Sequence, residues 1–175
     1  MPFRQLVGHR HLFELLSGAA TRGTLPPSLL FAGPDGVGKR AAAIALAQLL
    51  NCPERVEVPA PAGSSRGARS KSSGAAMVDA CGTCPVCRRI ARGVHADVME
   101  LKPGETGSIK IDQTREAIER AGYRPFEGRR RVIIIDDADV RTARGELVQI
   151  VPGCLGIQVG RIELRDKHQQ RVASD

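Results

Sequence analysis

The stretch "LLFAGPDGVGKRAAAIALAQLLNC", Leu29 to Cys52, decides how the rest of the chain reads. Its centre fits the phosphate-cradling pattern G-x-x-x-x-G-K-[ST] through Gly33, Gly38 and Lys39. The last position is Arg40, where a Ser or Thr would offer a hydroxyl to Mg²⁺. A glycine-rich run alone is a weak signal, so its surroundings matter. "SLLFA" (Ser28–Ala32) is a short apolar run suited to a buried strand, and "RAAAIALAQLL" is rich in helix formers. Strand, loop and helix in that order separate a phosphate loop from a chance match. Backbone N–H groups around Gly36 and Gly38 would then face phosphate oxygens. The helix N-terminus adds its positive end, and Lys39 reaches the terminal phosphates. The plain alternative, a surface lysine, sits badly between those glycines.

Further along, "RRVIIIDDAD" reads as a buried strand ending in acids. Arg40 cannot ligate a cation, so Mg²⁺ would depend on Asp136 and water. In such sites an aspartate holds the metal and the next acid polarises the attacking water. Asp137 stands at that second position, where many ATPases have Glu, and its carboxylate falls about 1.5 Å short, one C–C bond. Misplacement on that scale costs about a hundredfold in rate. Asp136, Asp137 and Asp139 also read as plain exposed acids after a core strand. Two departures in one site predict weak or absent hydrolysis, and no catalytic residue is named.

The other segments supply the frame. Apolar residues recur at helical spacing from His11 to Ala20, and a second helix is expected at Pro85–Arg92. "DVMEL" (Asp97–Leu101) reads as a strand, and "IDQTREAIERAG" as a helix with Asp112 near its N-cap and Gly122 at its end. Strands alternating with helices predict a three-layered α/β fold with a parallel sheet. Glu54 to Asp79 is rich in Pro, Gly, Ala and Ser and poor in large apolar residues. It is expected to be a flexible insertion, because it buries too little to offset its ordering entropy.

The cysteines are the sharper signal. Cys81, Cys84 and Cys87 form C-x-x-C-x-x-C, and Cys52 ends the helix that starts at the glycine-rich loop. Four thiolates make a closed tetrahedral site for a structural Zn²⁺. A C-x-x-C redox pair needs only two of them. An iron–sulfur site stays open, although its familiar run adds another cysteine and a proline. Cys154 reads as a lone thiol.

With 175 residues the chain is long enough for one domain with a real core. Its 26 Lys and Arg against 19 Asp and Glu give a net charge of +7, which permits a nucleic-acid partner without requiring one. The basic residues are scattered apart from Arg129–Arg131 and the Arg66–Lys71 stretch, and aromatics for base stacking are few. "MPFRQLVGHRHLFELL" lacks a secretory apolar core, and no later run approaches a membrane span, so a cytoplasmic protein is expected. In that reducing setting cysteines point to metal or chemistry before disulfides.

Taken together, "LVGHRHLFELL", "AGPDGVGKR", "LLNC", "CGTCPVCRRIARGVHADVMEL" and "IKIDQTREAIERAGYRPFEGRRRVIIIDDAD" resemble the N-terminal AAA+ domain of bacterial DNA polymerase III clamp-loader subunits. Tau/gamma subunits share the cysteine pattern but typically carry Lys-Thr and Asp-Glu where this chain has Lys39-Arg40 and Asp136-Asp137. "IKIDQTRE" looks like the delta-prime branch. The resemblance implies a part in a five-subunit ring with tau/gamma and delta subunits, which opens the sliding clamp and places it on primed DNA. It also implies a scaffolding rather than hydrolysing role, with Zn²⁺ as structural metal and ATP/Mg²⁺ doubtful. Residues Gly33, Gly36, Gly38, Lys39, Arg40, Asp136 and Asp137 correspond to the nucleotide site, and Cys52, Cys81, Cys84 and Cys87 to the metal site. An ATP-hydrolysing tau/gamma-type subunit and a stand-alone zinc or nucleic-acid-binding module are the rival readings.

The expected boundaries are an AAA+ domain over 1–140, a zinc module at 52–87 within it, and a non-matching tail at 141–175. The family would continue with Asn-Ala-Leu-Leu-Lys and later Ser-Arg-Cys, whereas this chain reads "RTARGELVQIVPGCLGIQVGRIELRDKHQQRVASD". A truncated or frame-shifted product, non-functional in the extreme, is one expectation. In the fold it resembles, the strand after "VIIID" inserts between that strand and the Ser28–Ala32 strand. Leu155–Leu164 is the only candidate filler. Its apolar alternation slips phase at Gly160, which predicts a poor central strand and a chain that is weakly stable alone.

Overall fold

The computed structural model describes residues 1–59, 77–104 and 109–136, together with the backbone of 159–163. A 3₁₀ turn (Phe3–Gln5) leads into α1 (Arg10–Arg22), β1 (Ser28–Ala32) and α2 (Lys39–Asn51). Next come β2 (Arg55–Val58), β3 (Met77–Ala80), α3 (Pro85–Ala91) and β4 (Val98–Leu101). The order closes with α4 (Ile111–Ala121), β5 (Val132–Ile135) and β6 (Val159–Glu163). The helices expected from periodicity and capping appear where expected. Gly23 caps α1 in the left-handed conformation that ends many helices. At the start of α4, Lys110 is the N-cap and the Gln113 side chain accepts its N–H, so Asp112 lies two residues past the cap, within the first turn.

Two parallel pairs carry the α/β character. β4 runs beside β5 with Val98 opposite Val132, and β1 runs beside β6 with Ser28 opposite Val159. β1 and β5 are not neighbours, as expected. Among the described residues no ladder joins β6 to β5, so the layers form a mixed α/β arrangement of small parallel pairs. The tail supplies a strand to β1, but no described ladder carries it on to β5, the other neighbour a central strand would need. A ladder needs only backbone N–H and C=O groups, and Gly160 takes the place opposite Leu29 without interrupting it.

A second correction concerns the insertion. Its two ends are ordered as an antiparallel ribbon, with Arg55 opposite Ala80 and Val58 opposite Met77. Residues 60–76 lie outside the described residues. The ribbon holds because Met77 and Ala80 are buried and because Asp79 has backbone donors to receive it.

α2 is the hub. One side, through Ala42, Ala45, Leu46 and Leu49, packs against Phe3, Phe13, Leu16 and Met77. Ala47 faces Ile90, Val98 and Ile134 instead. Phe3 and Phe13 stack with ring centroids 4.8 Å apart. Burying a ring such as Phe3 contributes about 1.5–3 kcal/mol. Small alanines let α3 and the β4–β5 pair approach α2, so a bulky residue at Ala47, fully buried, would force them apart at about 1–3 kcal/mol. This packing fixes both ends of α2. The glycine-rich loop lies at its N-terminus, and the cysteines gather at its C-terminus.

Candidate functional site

At the N-terminal end of α2, Gly36 and Gly38 take positive φ values of 77° and 96°, where a β-carbon is strained. Gly38 is the N-cap, and α2 has no acidic residue in its first turn. The first N–H groups of the helix are therefore left for an outside acceptor. Lys39 folds back over the loop: its Nζ donates to Gly33 O at 2.9 Å and Pro34 O at 3.0 Å, and lies 3.4 Å from Asp35 Oδ1. The lysine thus holds the loop closed around its own ammonium, in the geometry an anion would have to enter.

Arg40 points elsewhere. Its Nε donates to Glu100 Oε1 and its Nη2 to Glu100 Oε2 at 2.9 Å, and Nε also lies 3.3 Å from Asp136 Oδ2. Lys102 Nζ reaches the same Glu100 at 3.2 Å. Asp136 is placed by the β4–β5 ladder, its N–H donating to Leu101 O at 2.9 Å. Arg40, followed by Lys102, holds the Glu100 carboxyl below its usual range against the opposing effect of burial. The structure thereby brings Arg40 and Asp136 together as an ion pair, and adds Glu100 and Lys102, which sequence reading passed over. An acid inside the apolar run of "DVMEL" was the available signal. Asp137 and Cys154 lie outside the described residues. The cleft beside Arg40 has about 90 Å³, well below the roughly 300–1,000 Å³ of a small-molecule pocket.

At the other end of α2, Cys52, Cys81, Cys84 and Cys87 are all buried, and their Sγ atoms lie within 4.8 Å of one another. Cys52 Sγ is 3.6 Å from Cys81 Sγ and 4.0 Å from Cys84 Sγ. A tetrahedron with metal–sulfur bonds near 2.3 Å has sulfur atoms about 3.8 Å apart. The four sulfurs therefore have the spacing to hold a metal ion. Backbone N–H groups point at them: Cys84 N to Cys81 Sγ at 3.3 Å, Cys87 N to Cys84 Sγ at 3.4 Å, and Cys81 N to Cys52 Sγ at 3.4 Å. Burial works against a Cys81 thiolate, yet the donors from Cys84 and Thr83 prevail and bring its pKa down to about 6. Burial pushes Cys52 and Cys87 up.

The knuckle is braced by groups invisible to motif reading. Asp79 is fully buried and accepts Phe3 N at 3.1 Å, Arg4 N at 2.9 Å and Ala80 N at 2.8 Å. Arg4 donates to Ala80 O and Cys81 O, both at 2.6 Å. Gln48 donates to Cys87 O at 2.8 Å and accepts from the Met1 ammonium at 3.2 Å. A β-carbon on Gly82 would meet Pro2 at 3.1 Å, so the N-terminal segment lies tight against the turn.

Residues 8–145 match the family described as "DNA polymerase III, delta subunit". The chain belongs to that family. It is 32% identical over 145 residues to the DNA polymerase III subunit gamma/tau of Mycobacterium tuberculosis, covering 82% of this chain and 21% of that protein. The tau subunit of Escherichia coli is 28% identical over 77% of this chain and 18% of its own length. The gamma subunit of Buchnera aphidicola is 27% identical over 77% of this chain and 31% of its own length. The chain thus spans less than a third of the length of these relatives. Both ends of α2 fall within the family match. No helix among the described residues is long and apolar enough to cross a membrane.

Proposed function

We propose that this chain serves DNA replication as a clamp-loader subunit of DNA polymerase III, of the delta-prime kind, which does not hydrolyse ATP itself. The observation that carries this reading is the arginine fork on Glu100 and Asp136. In a hydrolysing tau/gamma-type subunit the residue after the loop lysine is a threonine whose hydroxyl serves Mg²⁺. Here that position carries a guanidinium tied to the carboxylate that would hold the metal. The named relatives are gamma/tau subunits, which favours the hydrolysing alternative. Arg40 favours the scaffolding one. The role of the four cysteines in this reading is to hold a structural Zn²⁺: sulfur-only donors at tetrahedral spacing suit zinc, and a closed set leaves no coordination position for chemistry. Zinc would tie α2, β3 and α3 into one rigid knuckle. Partners in this reading are tau/gamma and delta subunits in the cytoplasm, with the sliding clamp and primed DNA reached through the assembly.

Co-purification tests it. The full chain, mixed with tau/gamma and delta subunits, is expected to enter a stable complex, while its own ATP turnover stays at background. Failure to co-assemble, or turnover by the chain alone at about 1 per second, an ordinary enzyme rate, would overturn the proposal.

A further inference from the structure

The magnesium ion that this fold normally places between the loop and the acidic strand does not fit here. Mg²⁺ demands near-octahedral oxygen ligation. The position that would offer a hydroxyl is Arg40, and the carboxylate that would face the ion already lies 3.3 Å from Arg40 Nε. The local charge points the same way. Among the described residues Glu100 and Asp136 are matched by Arg40 and Lys102, which leaves no excess of negative charge there to attract a dication. The anion-binding parts are intact: the positive-φ glycines, the free first turn of α2 and Lys39.

We infer that Arg40 is a resident cation, and that the loop takes a nucleoside triphosphate without any divalent metal. This deepens the phosphate-loop half of the reading above. A guanidinium presents five donors in a planar fork. Arg40 uses Nε and Nη2 on the carboxylates, and among the described residues Nη1 has no protein partner. Nη1 is then the donor for a phosphate oxygen, with Glu100 and Asp136 fixing the plane of the fork. Because Arg40 follows Lys39 directly, the two cations act on the same phosphate chain from the same helical turn. Lys39 must first leave Gly33 O and Pro34 O, and those two carbonyl contacts are what a phosphate replaces. The arrangement binds and does not hydrolyse, since nothing among the described residues substitutes for a metal in orienting an attacking water.

The test is a titration of the full chain with a fluorescent ATP analogue, in millimolar Mg²⁺ and again in excess EDTA. Affinity is expected to agree within about threefold between the two conditions. Arg40→Thr restores the hydroxyl and removes the competing cation, so its affinity is expected to become at least about tenfold weaker in EDTA than in Mg²⁺. Manganese resonance on the unmodified chain with ATP gives a second readout, and protein-bound manganese is expected to be absent. Binding by the unmodified chain that requires Mg²⁺ overturns the inference, and so does absence of binding in both conditions. The decisive comparison uses the unmodified chain, so a misfolded variant cannot rescue it. Co-assembly with other subunits is measured without nucleotide, which separates failure here from failure of the clamp-loader reading.

Discussion

The two ends of α2 solve opposite electrostatic problems. At its C-terminus, four buried sulfurs lie close enough to repel once ionised, and among the described residues backbone N–H donors point at them. That end has the spacing to take a metal. At its N-terminus, the Glu100 and Asp136 carboxylates already share the Arg40 guanidinium. That end is finished by the chain itself. The difference teaches that a metal-binding pattern is read from the charge left over after side chains have paired, not from the ligand types alone.

The largest effect should come from the cysteine end. Cys84→Ser, or removal of zinc by a chelator, is expected to abolish stoichiometric metal and loosen β2, β3 and α3 together. Structural zinc binding supplies about 10–16 kcal/mol of apparent free energy in small domains. Metal analysis with hydrogen exchange checks this, and full metal content in Cys84→Ser would break the comparison. Acid should act likewise, because protonated thiols release the metal.

Removing the brace comes next. Asp79→Ala leaves the Phe3 and Arg4 N–H groups and the Arg4 guanidinium without their acceptor, and is expected to cost about 3–5 kcal/mol. Chemical denaturation measures it. Unchanged stability would mean that the N-terminal segment does not support the knuckle.

A pH profile sharpens the contrast further. Asp97 accepts Phe126 N at 2.7 Å, Glu127 N at 2.8 Å and Gly128 N at 2.7 Å, and pairs with Arg131 at 3.0 Å. Burial opposes its ionisation, but those donors outweigh it and hold the carboxyl well below the usual range. A depressed pKa in the folded state means that its stabilisation is complete above the unfolded value of about 3.9 and is lost as pH falls toward the folded one. Asp97→Asn is expected to lower stability at neutral pH and to flatten the acid limb below about pH 4. An unchanged acid limb would count against this.

The smallest effect on stability belongs to Arg40. Its side chain is 45% exposed, so Arg40→Ala is expected to shift thermal stability by no more than about 1 kcal/mol. A strong response to the divalent ion without a strong loss of stability would set the two ends of α2 apart most clearly.

The sequence by itself determined the local elements and the ligand sets. β1, α2, α3, β4 and β5 were legible because apolar period, helix propensity and glycine placement act over a few residues. The four cysteines and the altered loop were legible because spacing and residue type already limit the chemistry. Tertiary structure alone decided which groups complete each site. Glu100 meets Arg40 from 60 residues away, and Asp79 receives Phe3 from 76 away. It also decided that the ends of the insertion pair as β2 and β3, and that Val159–Glu163 lies along β1. Those outcomes follow from burial and from backbone groups seeking partners across long loops, and no local pattern encodes which distant partner will be there.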